Sequence, residues 1–390
     1  MLKSLFPRSR DRAILLPAIG AQLILGTTMS LLPVFVDTLR LKAGLSATGA
    51  GFLVSAELAT ASLTTLLLSA WDHAHSVRRW ALAGGFLAVM GTLLTLLSPA
   101  LPNLVASRLV VGIGAGIVGA EAMRVLARGI DRERLIAIVT IASIVNAAIL
   151  FAVLPRLIDH SGYRGLYFCL LLDFVAGVFL LMRLPAVPVR RWGQKMAGPE
   201  HLSLPAIVVV SSVFLTQLGQ GAFWSLDGVY GRASGLSADS IGFILALSTL
   251  VLLVGASGAA WAGERFGLFP ALFFLLATNA VSIVLVGTVP VHWVFVAANI
   301  LQALTNLSSL IYQLGLSANI DRLGRAVAAA TAMVTLGNGV GPGVPAILGS
   351  YLTASQIAVL ILGIDVIAMG LFSLVLLRWH KGVRRQTSNV

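Results

Sequence analysis

The segment GLSATGAGF at residues 44–52 returns about 191 positions later as GLSADSIGF at residues 235–243, with six identities in nine positions. Polar residues repeat at similar offsets at three further points: Ile130-Asp131-Arg132 and Ile320-Asp321-Arg322, Asp37 and Asp227, Asp173 and Asp365. Low-complexity apolar sequence that matches itself does not place polar residues in register at four separated points. The sequence therefore predicts a duplicated chain of two equivalent halves.

Each half contains six long apolar segments. A helix needs about 20 residues to cross the hydrocarbon of a bilayer. The chain is 58% hydrophobic and only 11% charged, whereas a soluble domain carries about 25% charged residues. The predicted spans are residues 13–36, 47–70, 78–98, 102–124, 133–157, 163–183, 203–227, 237–262, 267–288, 291–316, 326–350 and 354–378. The sequence thus predicts an all-α membrane protein with twelve transmembrane helices in two pseudo-symmetric six-helix bundles, residues 1–184 and 203–390, joined by a cytoplasmic linker at 185–202.

Lysine and arginine are distributed unequally between the two sides of the predicted bundle. If the N-terminus is cytoplasmic, 21 of the 27 basic residues lie in cytoplasmic segments and Arg108 lies inside the fourth span. The opposite side then holds five, namely Arg40, Lys42, Arg156, Arg164 and Arg232. Basic short loops stay in the cytoplasm. We therefore expect a multi-pass protein of a cell inner membrane with both termini in the cytoplasm.

Several classes of function are disfavoured by composition. The net charge of +12 comes from short basic clusters between apolar runs, which is not the basic domain that tracks nucleic acid. The single cysteine, Cys169, excludes an internal disulfide framework, and the six histidines lie at span ends without metal-ligand spacing. An ATP-driven pump is disfavoured because there is no phosphate-binding G-x-x-x-x-G-K-[ST] loop. We predict no metal, no cofactor and no catalytic residue, and a polytopic membrane enzyme is the remote alternative.

Two motifs carry a family resemblance. The fourth span contains Arg108-Leu-Val-Val-Gly112-Ile-Gly114-Ala-Gly116, and the loop after the eighth contains Gly263-Glu264-Arg265-Phe266-Gly267. The first resembles the R-x-x-x-G-x-G-x-G motif of proton-coupled members of the major facilitator superfamily, and the second its G-x-x-x-D-R-x-G-R-R loop signature. The copy of that loop after the second span is degraded, at residues 71–79. The resemblance covers nearly the whole chain and implies the two-bundle fold and a monomer.

The resemblance also implies that these acidic and basic loops latch the outward-facing state. In this chain the corresponding gating residues are Asp72, Arg78, Arg79, Glu264 and Arg265. The G-x-x-x-G-P motif that marks the fifth span of many drug exporters is missing, and glycines and prolines instead occupy the eleventh span at residues 337–345. This departure weakens the likeness to that exporter subfamily.

Four charged residues inside predicted spans are candidates for proton coupling. Placing a charge at the centre of a bilayer costs about 2.5–3.5 kcal/mol on insertion scales, and such residues tend to be functional. Glu57 lies near the middle of the second span, and we expect it to pair with Arg108; the alternative is a purely structural ion pair. Asp173 and Asp365 lie in the middle of the sixth and twelfth spans, where a structural hydrogen bond to a neighbouring helix is the alternative.

Polar side chains recur on one face of two spans in the second half. The tenth span carries Asn299, Gln302, Asn306, Ser309 and Gln313, and the seventh carries Gln217, Gln220, Trp224 and Asp227. Hydrogen bonds between helices account for one or two amides, but stripes of this length favour a water-filled cavity. We predict that Gln217, Gln220, Trp224, Asn299, Gln302 and Asn306 bind the substrate.

Two further features are predicted to act as gates. Glu121 and Arg124 share one face at the inner end of the fourth span, where they are expected to belong to an inner-gate network. In the eleventh span, Gly341 and Pro342 weaken the helix, because proline removes a backbone hydrogen bond. The eleventh span is either a bending gate helix or one that packs tightly against the eighth span.

The sequence as a whole predicts a secondary active transporter. It moves a small polar or amphipathic organic solute by alternating access, coupled to protons, and its partners are that solute, protons and membrane lipid. Direction stays open between efflux of a drug or metabolite and uptake. The alternatives are a uniporter or a proton-coupled importer of a small organic anion attracted by Arg108.

Overall fold

The structure, a computed structural model, describes residues 9–70, 76–97, 100–126, 132–185, 202–320 and 325–387. In the first half these residues form α1 (Ser9–Ser30), α2 (Leu32–Lys42), α3 (Ala47–Ala70), α4 (Val77–Leu97), α5 (Leu101–Leu126), α6 (Arg132–Ser161) and α7 (Tyr163–Leu181). In the second half they form α8 (Leu204–Ala233), α9 (Ala238–Phe266), α10 (Leu268–Thr288), α11 (His292–Ile320), α12 (Arg325–Val340), α13 (Gly343–Leu348) and α14 (Ala354–Thr387).

Twelve stretches in these ranges are long and apolar enough to cross a membrane, which confirms the predicted all-α fold with twelve spans. The seventh span ends at Ala233, six residues beyond its predicted end at residue 227. The first span, predicted as one segment, is broken between α1 and α2 at Leu31, with Pro33 in the first turn of α2. Proline has no backbone N–H and its ring clashes with the preceding turn, which accounts for the break at this point.

The described helices divide into two compact units. The N-unit contains α1 to α7 together with the first part of α9, up to Leu250. The C-unit contains α8, the rest of α9 from Val251, and α10 to α14. In the C-unit, a buried apolar core includes Val209 and Val213 of α8, Leu272 of α10 and Phe372 of α14.

Glycines allow α5 to approach its two neighbours closely in the N-unit. A Cβ on Gly114 would lie 2.5 Å from the backbone oxygen of Gly84 in α4, and a Cβ on Gly84 would lie 2.7 Å from that of Gly114. A Cβ on Gly112 would overlap the backbone oxygen of Glu57 in α3. The glycines of the fourth-span motif therefore bring the backbones of α3, α4 and α5 into contact, and this contact positions Glu57 and Arg108.

Candidate functional site

Glu57 of α3 and Arg108 of α5 meet inside the N-unit. Arg108 Nη1 donates to Glu57 Oε2 at 3.4 Å. Arg108 is 0% exposed and Glu57 is 2% exposed. The predicted contact between them is present. Because both side chains are buried, their pairing offsets part of the penalty of burying each charge.

Arg108 has further partners on two other helices. Its Nη2 donates to Thr95 Oγ1 at 2.6 Å and to Thr92 Oγ1 at 3.4 Å, both on α4. The guanidinium lies 4.9 Å from the ring centre of Tyr167 on α7, a cation–π geometry. Sequence reasoning missed these three residues. The spacing of Thr92 and Thr95 on one face of an apolar span was the available signal for the two hydroxyls.

Asp173 of α7 is held by side chains of two neighbouring helices. Thr27 Oγ1 of α1 donates to Asp173 Oδ2 at 2.5 Å, and Asn146 Nδ2 of α6 donates to the same oxygen at 3.2 Å. Asp173 is 9% exposed. These are the hydrogen bonds that the structural alternative requires, and they join α1, α6 and α7 through one carboxylate.

Asp365 of α14 is in a different environment. It is 6% exposed, and among the described residues no group donates a hydrogen bond to it. Its Oδ1 faces α8 at Gly219, where an added Cβ would lie 3.4 Å away. The sequence repeat aligns Asp173 with Asp365, but among the described residues only Asp173 accepts hydrogen bonds.

The predicted substrate-binding residues lie on two helices of the C-unit. Gln217 Oε1 on α8 accepts from Asn338 Nδ2 on α12 at 2.7 Å. Asn299 Nδ2 on α11 donates to Asp227 Oδ1 on α8 at 3.2 Å. Of the other predicted substrate-binding residues, Gln220 and Gln302 are buried, and Trp224 and Asn306 are half-buried. The α8 and α11 stripes thus contact each other through Asp227 and Asn299.

A second bond between these helices involves Thr216, whose Oγ1 donates to Gln313 Oε1 at 2.9 Å. Neither Thr216 nor Asn338 was predicted as part of the polar face. Asn338 lies in the glycine-rich part of α12, for which the sequence predicted either a bending gate or tight packing and no polar role.

The predicted gating residues are placed as follows. Glu121 Oε1 accepts from Arg124 Nη1 at 2.7 Å, and Arg124 Nη2 donates to the backbone oxygen of Leu68 at 2.5 Å, which joins α5 to the end of α3. At the start of α4, Arg78 is half-buried and Arg79 is exposed, and Arg265 near the end of α9 is exposed. Asp72 and the side chain of Glu264 lie outside the described residues.

The eleventh span breaks at Gly341 and Pro342, between α12 and α13. A Cβ on Gly341 would lie 2.7 Å from the Cα of Gly221 and from the backbone oxygen of Leu218, both on α8. Gly341 therefore packs closely against the seventh span, whereas the packing alternative named the eighth. The lack of a Cβ at position 341 is what permits it.

Comparison with known proteins decides the family. A model of the major facilitator superfamily matches residues 18–226, more than half of the chain. The chain belongs to the major facilitator superfamily. A sequence comparison with curated proteins gives no match.

Solved structures share the superfamily fold with this chain. A proton-dependent oligopeptide transporter is 14% identical with a TM-score of 0.72, over 94% of this chain and 99% of that one. A variant of the nucleoside transporter NupG is 12% identical with a TM-score of 0.69, over 93% and 99%. The human organic anion transporter MFSD10 is 16% identical with a TM-score of 0.68, over 93% and 99%.

As a superfamily member, the protein is a multi-pass membrane transporter of a solute. Large apolar side chains cover the outer faces of its helices, among them Phe243, Phe274 and Trp293, which are 67%, 69% and 65% exposed. Exposure of this kind is stable only when the surface faces lipid. In the described residues, no three His, Cys, Asp or Glu side chains cluster as metal ligands do.

Proposed function

We propose that this transporter moves a small polar or amphipathic organic solute across a cell inner membrane by alternating access, coupled to protons. The observation that carries the proposal is the buried pair of Glu57 and Arg108, which are 2% and 0% exposed. The pair is in a lipid-immersed unit, where an ionisable residue is expensive and is retained for a function. Both termini are proposed to be cytoplasmic, on the strength of the loop charges.

Glu57 is the proposed proton acceptor because the pair has an asymmetric set of partners. Arg108 keeps Thr92, Thr95 and Tyr167 as neighbours on α4 and α7 when the bond to Glu57 is lost. A proton on Glu57 therefore weakens the ion pair between α3 and α5 while Arg108 stays held. A protein with two conformations that differ in this contact shifts between them when the proton binds and leaves.

The remaining candidate carboxylates take different parts in the proposal. Asp173 accepts from Thr27 and Asn146, which supports a structural role in the N-unit. Asp365 has no donor among the described residues, which supports its place beside Glu57 as a proton-coupling candidate. The gates are proposed to be the Glu121–Arg124 network, the loop residues and the break at Gly341 and Pro342.

The polar solute is proposed to bind along the stripes of α8 and α11. Gln302 Nε2 and Gln313 Nε2 are buried and have no acceptor in the described part of the chain, so α11 offers unused donors to a polar solute. The structural neighbours carry nucleosides, oligopeptides and organic anions, all of them polar organic solutes. The importer alternative relied on Arg108 as an anion attractor, and its engagement by Glu57 and Tyr167 speaks against that role.

The test is proton movement in proteoliposomes that hold a pH-sensitive dye. Wild type is challenged with a panel of nucleosides, short peptides, organic cations and organic anions, with the solute gradient imposed in each direction. We expect one class to drive proton flux, and Glu57→Gln to reduce that flux to the level of protein-free vesicles. The direction of the effective gradient also distinguishes uptake from efflux.

Asp159→Asn is the matched control. Asp159 is also paired at 3.4 Å, with Lys42, but its side chain is 60% exposed at the end of α6. Exposed pairs contribute little energy, so this variant should couple like wild type. Solute movement without protons in the wild type, or normal coupling in Glu57→Gln, would show that the pair is structural.

A further inference from the structure

Asp227 near the end of α8 is a fully buried carboxyl group with one hydrogen bond. It is 0% exposed, and its Oδ1 accepts from Asn299 Nδ2 at 3.2 Å. That amide group is shared, since it also donates to the backbone oxygen of Phe295 at 3.2 Å. Asp227 Oδ2 is buried and has no partner in the described part of the chain.

The amide that bonds Asp227 is itself only half satisfied. Asn299 is 0% exposed, and its Oδ1 is a second buried atom without a donor among the described residues. Buried polar atoms in folded proteins almost always have a partner. Asp227 Oδ2 and Asn299 Oδ1 are thus two acceptors without donors, on side chains that already form a hydrogen bond. A single proton between these two oxygens would supply the missing donor.

Among the described side chains, no neighbouring charge compensates a negative Asp227. Among the side chains that the structure describes, the titratable residues on its own helix are Tyr230 and Arg232, and those on the helices packed against α8 are His292 and Tyr312 of α11, Arg325 of α12 and Asp365 of α14. The other two packed helices, α10 and α13, carry none. None of these described side chains forms an ion pair or hydrogen bond with Asp227, and the Tyr230 hydroxyl donates to the backbone oxygen of Ala354 at 3.0 Å.

We propose that Asp227 is a proton-binding site of the C-unit, closed by the side-chain amide of Asn299. With a proton on Oδ2, the carboxyl O–H donates to Asn299 Oδ1 while Asn299 Nδ2 donates to Asp227 Oδ1, so acid and amide form a cyclic pair. One proton thereby satisfies both orphaned atoms and removes an uncompensated buried charge. The O–H bond is the only bond that forms, and the proton is taken from water and returned to water.

This site is separate from the Glu57 pair, which lies in the N-unit. Protonation of Asp227 changes the link between α8 and α11, the two helices that carry the polar stripes. The inference rests on the proposed function in one respect, namely that the proton on Asp227 is a coupling ion. The binding of that proton does not depend on any solute.

Infrared spectroscopy of the full-length protein in liposomes tests the site without a solute or a gradient. A protonated carboxyl group has a carbonyl stretch that a carboxylate lacks. We expect such a band at neutral pH in the wild type and its loss in Asp227→Asn. Glu57→Gln and Asp365→Asn are the controls, and each should keep this band.

Asn299→Leu separates the proposed pair from a simple buried acid. Removing the amide deprives the acid O–H of its acceptor, so the Asp227 band should shift in frequency. An unchanged band, or a wild type and Asp227→Asn with identical spectra, would overturn the proposal.

The fold of Asp227→Asn supplies a further check. An asparagine at this position can form the same cyclic pair with Asn299, so thermal stability should match the wild type. A large loss of stability would show that the charged carboxylate is structural and would also overturn the proposal. Because none of these readouts uses transport, a failure here leaves the Glu57→Gln result standing, and the reverse also holds.

Discussion

In the N-unit, the carboxylate of Asp173 accepts hydrogen bonds from Thr27 and Asn146. At the offset of 192 residues that aligns Asp173 with Asp365, these three positions correspond to residues 219, 338 and 365. There the carboxylate and the amide are kept as Asp365 and Asn338, but the threonine is replaced by Gly219. The same triad in the C-unit therefore lacks its hydroxyl donor.

The amide of the C-unit also has a different hydrogen-bond partner, because Asn338 does not donate to Asp365. Asn338 Nδ2 donates to Gln217 Oε1 at 2.7 Å, whereas the position 192 residues before Gln217 is Leu25, which offers Asn146 no competing acceptor. Two differences thus convert a bonded carboxylate into an unbonded one. A duplicated scaffold can keep a charged residue in both copies and give it a different role in each.

The largest expected effect comes from removing each carboxylate in turn. Asp173→Leu should lower the free energy of unfolding by about 3 kcal/mol, because Thr27 and Asn146 lose a charged acceptor in a buried site. Asp365→Leu should leave stability unchanged or raise it by about 1 kcal/mol, because it removes a buried carboxyl group that no donor satisfies. Denaturant unfolding in detergent measures both variants. Equal losses would show that the two sites do not differ in energy.

A smaller effect is expected when only the hydroxyl donor of the N-unit is removed. Thr27→Val keeps the shape of the side chain and should reduce stability by about 1.5 kcal/mol, the value of a hydrogen bond to a charged group. The matched measurement repeats the substitution in the Asp173→Leu background, where a coupled pair should show almost no further loss. A loss of the same size in both backgrounds would contradict the assigned bond.

The smallest effect is expected from restoring the donor in the C-unit. Gly219→Ser places a hydroxyl within reach of Asp365, and we expect it to be about 1 kcal/mol more stable than Gly219→Ala. Both variants add the same Cβ, 3.1 Å from Cγ2 of Ile361, so the steric term cancels in the comparison. The difference should disappear in the Asp365→Leu background. If Ala and Ser are equally stable beside Asp365, the hydroxyl does not reach the carboxylate.

Most of the fold could be predicted from the sequence, because spans are set by local hydropathy and the duplication by polar residues in register. The contact of Glu57 with Arg108 was predictable too, since each is the charged residue placed well inside its span, the second and the fourth. The roles of Thr92, Thr95 and Tyr167 were not predictable, because they depend on which helices pack around Arg108. The difference between Asp173 and Asp365 was equally hidden, since both occupy the same register and only their neighbours differ.

The backbone contact of α5 with α3 and α4 limits which positions of this protein can vary in evolution. At Gly84, Gly112 and Gly114 any side chain would push helices apart, whatever solute the protein carries. These positions should therefore tolerate almost no variation in a mutational library selected for folding alone. The amides of α8 and α11, which are proposed to bind the solute, have no such constraint on the backbone, so under that proposal substrate preference can change while the glycine-packed helices stay the same.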